Sequence, residues 1–193
     1  LVAGPIVRPG ELLPQLHAPA PFDADGFARG VFLILRGLIK ASVFSAGLAA
    51  WVDPVFADPG AHSGLGVWAA VLGFTAQIYC DFSGYTDLAR GTARVLGFRL
   101  PENFALPYLA TSPQAFWRRW HMSLSRFLRD HLYIPLGGNR RGRARTWLNL
   151  MIVMALGGAW HGTHLRYMFW GVFHGLVLWA HRLFDGLLPT DAR

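Results

Sequence analysis

Charged residues are scarce in this sequence of 193 residues. Asp, Glu, Lys and Arg make up 15% of the chain, against about 25% in an average soluble domain. Hydrophobic residues make up 53%, which excludes a disordered chain. A water-soluble fold that buried this many apolar side chains would need more charged residues on its surface than the sequence contains. The composition therefore favours a membrane protein that crosses the bilayer several times.

Cysteine is almost absent as well. Cys80 is the single cysteine, which excludes an internal disulfide framework. The sequence begins Leu-Val-Ala, without an initiator Met or a readable signal peptide. We therefore expect it to be a piece of a longer protein.

Long uncharged runs predict the membrane-spanning segments. Residues 63–80 contain no Asp, Glu, Lys or Arg and form the clearest span, because a bilayer is crossed by about 20 apolar residues in a helix. Residues 26–52, 146–165 and 167–181 are further apolar stretches. Residues 1–26 are rich in proline and predict an irregular segment.

Charges next to these runs need partners. Asp81 and Asp87 follow directly on the span at 63–80, where carboxylates are costly unless they are paired or hydrated. We predict Arg90 and Arg94 as their partners. The first long helix is predicted to end at Asp53-Pro54.

Residues 112–145 predict an amphipathic helix followed by a basic loop. Ser112-Pro113 is a favoured helix start, and apolar and aromatic residues then recur at helical spacing to about His131. Four arginines follow, at positions 140, 141, 143 and 145. By the positive-inside rule this loop faces the cytoplasm.

Three histidines in apolar surroundings, His121, His161 and His174, are the candidate catalytic residues. Burial disfavours a charged imidazole, and a neutral imidazole is what a general base needs to accept a proton from an attacking alcohol. Glycines on both sides of Trp160-His161 let a substrate approach the ring. Simple packing between helices is an alternative role for each histidine, and the residues alone leave it open.

Other chemistries fit the sequence less well. His161 and His164 have a metal-ligand spacing, but the Glu of the zinc-protease pattern does not follow His161, and no metal is predicted. The segment 117–120, Trp-Arg-Arg-Trp, mixes stacking and basic side chains as sites for single-stranded nucleic acid do. In so apolar a chain we expect it to meet membrane lipid headgroups or an anionic donor, and no nucleic acid.

Seven short motifs follow one another in a fixed order. They are Asp81–Asp87, Phe98–Phe104, Phe116–Ser125, Arg129-Asp130, Tyr133–Asn139, Trp160–Gly162 and Trp170–Gly175. With these motifs the sequence resembles the membrane-bound O-acyltransferase (MBOAT) family, within it most of all the bacterial alginate O-acetyltransferase branch. The resemblance covers nearly the whole chain and extends more distantly to the D-alanyl transfer proteins of teichoic-acid modification.

The resemblance implies an all-α, polytopic membrane protein whose tilted helices surround a central funnel. Family members are much longer, so residues 1–193 would be the central and C-terminal portion of a single MBOAT domain in the bacterial inner (plasma) membrane. An acyl thioester would enter from the cytoplasmic side, and the hydroxyl acceptor or a relay protein would meet it from the other side.

The resemblance also implies an activity and its residues. The enzyme would move an acetyl group from acetyl-CoA or a similar thioester, with no bound cofactor, to an exported polysaccharide or cell-wall glycan, directly or through a periplasmic relay protein. His161 would be the acyl-transfer residue, with His121 deeper in the tunnel and His174 on the following helix. Further positions would bind the donor or line the tunnel: Arg118, Arg119, Asn149 and Trp160. A proton-coupled transporter and a non-catalytic membrane scaffold are the alternatives.

Overall fold

The computed structural model describes residues 4–18 and 21–187 of the chain. Within these ranges the chain forms helices joined by turns and loops, and it contains no β-strand. This confirms the all-α prediction. The chain divides into two structural units, Leu1–Asn103 and Phe104–Arg193, which are described separately.

The first unit is built around two long helices. Its α-helices are α1 (Pro9–His17), α2 (Ala24–Ile39), α3 (Ala46–Ala57) and α4 (Gly64–Val95). A π-helical turn at Lys40–Ser45 joins α2 to α3, so that residues 24–57 run as one helix of 34 residues. That helix and α4, which has 32 residues, are each long and apolar enough to cross a membrane.

Prolines interrupt this unit less than the sequence predicts. The helix does not end at Asp53-Pro54, because Pro54 lies inside α3 and the helix continues for one more turn to Ala57. Part of the proline-rich segment at 1–26 is also helical, since Pro9 occupies the first turn of α1, where a missing N–H costs nothing.

Helices α2 and α4 touch backbone to backbone at two glycine pairs. A Cβ added to Gly37 would lie 2.7 Å from the carbonyl oxygen of Gly84, and one added to Gly91 would lie 2.7 Å from the carbonyl oxygen of Gly30. No side chain fits at these crossings. Small residues that allow backbones to approach this closely are typical of helix packing in lipid.

A buried carboxylate ties the same two helices together. Asp87 on α4 is 4% exposed, and its two oxygens accept hydrogen bonds from Arg36 Nε at 2.9 Å and Arg36 Nη2 at 2.7 Å. Lys40 Nζ donates to the same carboxylate at 2.7 Å. Two cations from one helix thus neutralise one anion of the other.

The predicted partners of this carboxylate are therefore wrong. Arg90 contacts Glu102 at 3.0 Å and Arg94 contacts Asp23 at 3.3 Å. The Asp87 side chain faces α2, so its partners are Arg36 and Lys40, which lie about 50 positions away in sequence. It does not pair with the arginines of its own helix. Asp81, the other carboxylate of the motif, is exposed.

The second unit contains two short helices and an antiparallel helix pair. Its α-helices are α5 (Pro113–Trp117), α6 (Met122–Leu128), α7 (Gly142–Trp160) and α8 (Leu165–Leu187), with a π-helical turn at Arg129–Tyr133. The predicted helix start is confirmed, because the Ser112 hydroxyl accepts a hydrogen bond from the amide of Ala115 at 3.1 Å. Helices α7 and α8 meet where Gly158 faces Gly171 and the carbonyl oxygen of Tyr167.

Candidate active site

The predicted amphipathic helix is divided at His121. Helix α5 ends at Trp117, α6 begins at Met122, and His121 between them has a left-handed backbone with φ of 43° and ψ of 53°. This conformation costs a non-glycine residue about 1–2 kcal/mol, although histidine adopts it more readily than most residues do. The break redirects the chain and buries the imidazole, which is 2% exposed.

The buried ring of His121 lies beside the end of α7. Its centroid is 6.1 Å from the Trp160 ring and 6.5 Å from the His161 ring. Burial, and to a smaller extent repulsion from His161, lowers the pKa of His121 to about 4. The imidazole of His121 is therefore uncharged at neutral pH.

His161 directly follows the last residue of α7, Trp160, and its side chain is exposed. Its ring packs edge-on against Trp160 at 5.1 Å and against Trp170 at 5.6 Å. A Cβ added to the next residue, Gly162, would lie 2.5 Å from the Tyr167 ring. The glycine therefore lets the turn after α7 fold back onto α8, which holds the imidazole at the helix end.

His174 joins the same aromatic cluster from α8. Its ring lies 4.7 Å from Trp170 and 5.1 Å from Trp117, and Trp170 also contacts Trp117 at 5.9 Å. Trp170 thus touches both His161 and His174. The three histidines of the sequence prediction are brought together by tryptophans and do not line up as a chain of direct hydrogen bonds.

A cavity of about 220 Å³ opens beside these rings. His121, His161 and Trp170 line one end, and Arg129, Tyr133 and Arg182 line the other. Leu150 and His161 both line the cavity and are eleven residues apart on α7, so it extends about 16 Å along the helix axis. Its wall between the ends is mostly apolar: Leu124, Leu128, Leu150, Val153, Met154 and Leu178.

The sequence profile of the membrane-bound O-acyltransferases, the MBOAT family, matches residues 1–191. The chain belongs to this family. The resemblance drawn from the seven motifs is thereby confirmed, and with it the membrane character of the protein.

The named relatives of this MBOAT chain are O-acetylases and D-alanyltransferases. It is 44% identical over 182 residues to the probable alginate O-acetylase AlgI of Pseudomonas putida, covering 94% of this chain and 37% of the relative. It is 40% identical over 187 residues to the peptidoglycan O-acetyltransferase of Helicobacter pylori, covering 96% and 36%. A teichoic acid D-alanyltransferase of Bacillus subtilis is 29% identical over 128 residues, covering 63% and 32%. The chain thus spans about a third of the length of these proteins.

The remaining predicted site residues of the MBOAT chain have different surroundings. Trp160 packs against both His121 and His161. Arg118 is exposed and Arg119 half-buried, and neither lines the cavity. Asn149 is fully buried and also lies outside the lining, but its Nδ2 donates to the carbonyl oxygens of Leu136 at 3.2 Å and Gly138 at 2.9 Å.

The basic end of the cavity was not predicted. Arg129, Tyr133 and Arg182 line it, whereas the sequence prediction placed the donor-binding cations at Arg118 and Arg119. The available signal was the motif Tyr133–Asn139, whose two glycines turn the chain back and place Tyr133 against α7.

Proposed function

We propose that the full-length protein is an O-acetyltransferase of the bacterial inner membrane, and that His161 is its general base. The observation that supports this most directly is the shared cavity. His161 and His121 line one end of it, and the rest of its lining leads away to a basic end. A thioester entering from the basic end would bring its acyl carbon to the imidazoles.

The reaction that we propose needs one proton to move out and back. The neutral imidazole of His161 takes the proton of the acceptor hydroxyl as its oxygen attacks the thioester carbonyl carbon. The new C–O bond forms, the C–S bond breaks, and the imidazolium returns the proton to the departing thiolate. Such general acid–base catalysis contributes about 10²–10⁴-fold to a rate.

The other two histidines support His161 in this scheme. His121 is buried and uncharged, so it leaves the cavity without a fixed positive charge and adds a hydrogen-bonding group near the carbonyl. His174 is a positioning residue, since it reaches His161 only through Trp170. Trp160 and Trp170 both pack edge-on against the His161 ring and would hold it in place.

The substrates in this proposal come from the sequence resemblance and the named relatives. The donor is acetyl-CoA or a similar cytoplasmic thioester. The acceptor is an exported polysaccharide or cell-wall glycan, reached directly or through a periplasmic relay protein. A transporter with Asp87 in a proton relay is less well supported, because Arg36 and Lys40 both bind that carboxylate.

The proposal is tested by replacing His161 in the full-length protein. In membranes supplied with labelled acetyl-CoA and acceptor glycan, we expect His161→Ala to lower acetyl transfer at least about 10²-fold, as loss of a general base does. His164→Ala is the matched control, because His164 is exposed and lies outside the cavity lining. Transfer at the native rate by a normally inserted His161→Ala protein would refute the assignment.

A further inference from the structure

We infer that Tyr133 is a donor-binding residue, whose hydroxyl holds a phosphate of the thioester donor at the basic end of the cavity. This inference rests on the proposed function, because it concerns the donor of that reaction. Tyr133 lines the cavity together with Arg129 and Arg182. Its hydroxyl is buried, and it has no hydrogen-bond partner within the described ranges 4–18 and 21–187.

A buried hydroxyl without a partner indicates that a ligand supplies one. Leaving such a group unpaired costs free energy that most folded proteins avoid. A phenol donates one hydrogen bond, and an arginine, which only donates, cannot accept it. The missing group is therefore an acceptor. Of the two arginines that share the cavity lining with Tyr133, Arg129 is paired with Asp130 at 2.8 Å, and Arg182 is the cation that favours an anionic acceptor such as phosphate.

The position of Tyr133 is fixed by its neighbours. The amide of Gly138 donates to the Tyr133 carbonyl oxygen at 2.8 Å, and a Cβ added to Gly138 would be in van der Waals contact with the Tyr133 ring at 3.5 Å. The Gly138 carbonyl in turn accepts from Asn149 Nδ2 at 2.9 Å. Asn149 on α7 thus holds the turn that holds the tyrosine.

The length of the cavity favours a particular class of donor. Trp170 at the histidine end and Arg182 at the basic end are twelve residues apart on α8, or about 18 Å along the helix. An extended pantetheine arm carries its thioester and its phosphate at a comparable separation. Its two amides and its methyl groups would pass the apolar middle of the cavity.

A second groove would hold the part of the donor on the far side of that phosphate from the thioester. It has a volume of about 570 Å³ and shares Leu150 and Arg182 with the first cavity. Arg143 and the tilted ring pair Trp147 and Trp179 also line it. Arg182 stands where the two cavities meet, which is the place for the phosphate that joins the arm to a nucleotide or a carrier protein.

The experiment measures donor binding separately from catalysis. The full-length His161→Ala protein in neutral nanodiscs is titrated with 4′-phosphopantetheine and with pantetheine. We expect Tyr133→Phe to weaken binding of 4′-phosphopantetheine about tenfold, as loss of a hydrogen bond to a charged group does, and to leave pantetheine binding unchanged. Tyr85→Phe is the matched control, since Tyr85 is 43% exposed on α4.

A second variant and a lipid competitor separate the remaining outcomes of the titration. Arg182→Gln should weaken binding of the phosphorylated probe in the same selective way, and it replaces Tyr133→Phe if that variant does not fold. An equal loss for both probes, or no loss for either, overturns the inference. So does Tyr133-dependent binding of phosphatidylglycerol that 4′-phosphopantetheine does not displace, because the phosphate would then belong to a lipid headgroup.

Turnover gives an independent reading in the protein that retains His161. We expect Tyr133→Phe to raise the KM for the donor about tenfold with kcat nearly unchanged, the signature of lost uniform binding. A fall in kcat at constant KM would contradict a binding role. If His161→Ala retained full activity, the proposed function would fail, while the selectivity of Tyr133 for phosphate would still be measured by the titration.

Discussion

At the scale of single residues, the loss of the Asp87 carboxylate leaves two cations without their shared partner. Its carboxylate is 4% exposed and accepts from both Arg36 and Lys40. We expect Asp87→Asn to destabilise the protein by about 2 kcal/mol, because the hydrogen bonds from Arg36 and Lys40 lose their charged acceptor, while water still reaches these two side chains, which are 43% and 22% exposed. Thermal unfolding in detergent, followed by intrinsic fluorescence, measures the change.

Asp81→Asn provides the comparison for that variant. Asp81 lies on the same helix, in the same motif, but is exposed, so its replacement should change stability by no more than about 0.5 kcal/mol. Equal unfolding temperatures for the two variants would mean that the cluster around Asp87 contributes little to the fold.

At the scale of helices, the contact between α7 and α8 depends on Gly158. A Cβ at this position would overlap the carbonyl oxygen of Tyr167 and lie 3.0 Å from the Cα of Gly171. We expect Gly158→Ala to push the helices apart at a cost of about 1–3 kcal/mol. Because His161 follows within one turn, acetyl transfer should fall together with the unfolding temperature.

Gly47→Ala tests whether that effect is specific to the crossing. Gly47 lies in α3, and no atom would come within 4 Å of an added Cβ. An alanine there should be neutral or should stabilise the helix by about 0.5–1 kcal/mol. If Gly158→Ala were equally well tolerated, the close approach of α7 and α8 would not matter for the site.

The helices were more predictable from the sequence than their interruptions. Ser112 caps α5 as expected, because a cap depends on residues three positions apart. The break at His121 was missed, since the apolar periodicity continues through it and one left-handed residue leaves no mark in that pattern. Pro54 was misread in the opposite direction, because Asp53-Pro54 predicts a stop and the helix continues through it to Ala57.

The candidate site shows the same division between local and distant information. The histidines stood out because each lies in an apolar run, and the structure places His121 beside His161 although they are 40 positions apart. The pairing of Asp87 with Arg36 and Lys40 spans about 50 positions. A single sequence contains no measure of which distant helix faces which, so Arg90 and Arg94 were chosen by proximity along the chain.

At the scale of the whole molecule, the arginines at 140–145 predict how the protein sits in the membrane. Arg140 is exposed and lies just before α7, which itself carries Arg143 and Arg145 near its start, and by the positive-inside rule we predict that this end of α7 faces the cytoplasm. In a full-length protein with Cys80 and every other native cysteine replaced by Ala, we expect Arg140→Cys to react with a membrane-impermeant thiol reagent only after the inner membrane is permeabilised. Labelling in cells with an intact inner membrane would reverse the proposed orientation and the side from which the donor enters.

Helix α7 carries both Asn149, which fixes the turn beside Tyr133, and His161. His161 follows Asn149 by twelve positions, about 18 Å along the helix, and this distance cannot shorten without unwinding the backbone. In the proposed function α7 would therefore act as a molecular ruler. An acyl thioester on a shorter arm would bind at the basic end of the cavity but would not reach the imidazole. The length of the arm would therefore select among acyl carriers before the reaction begins.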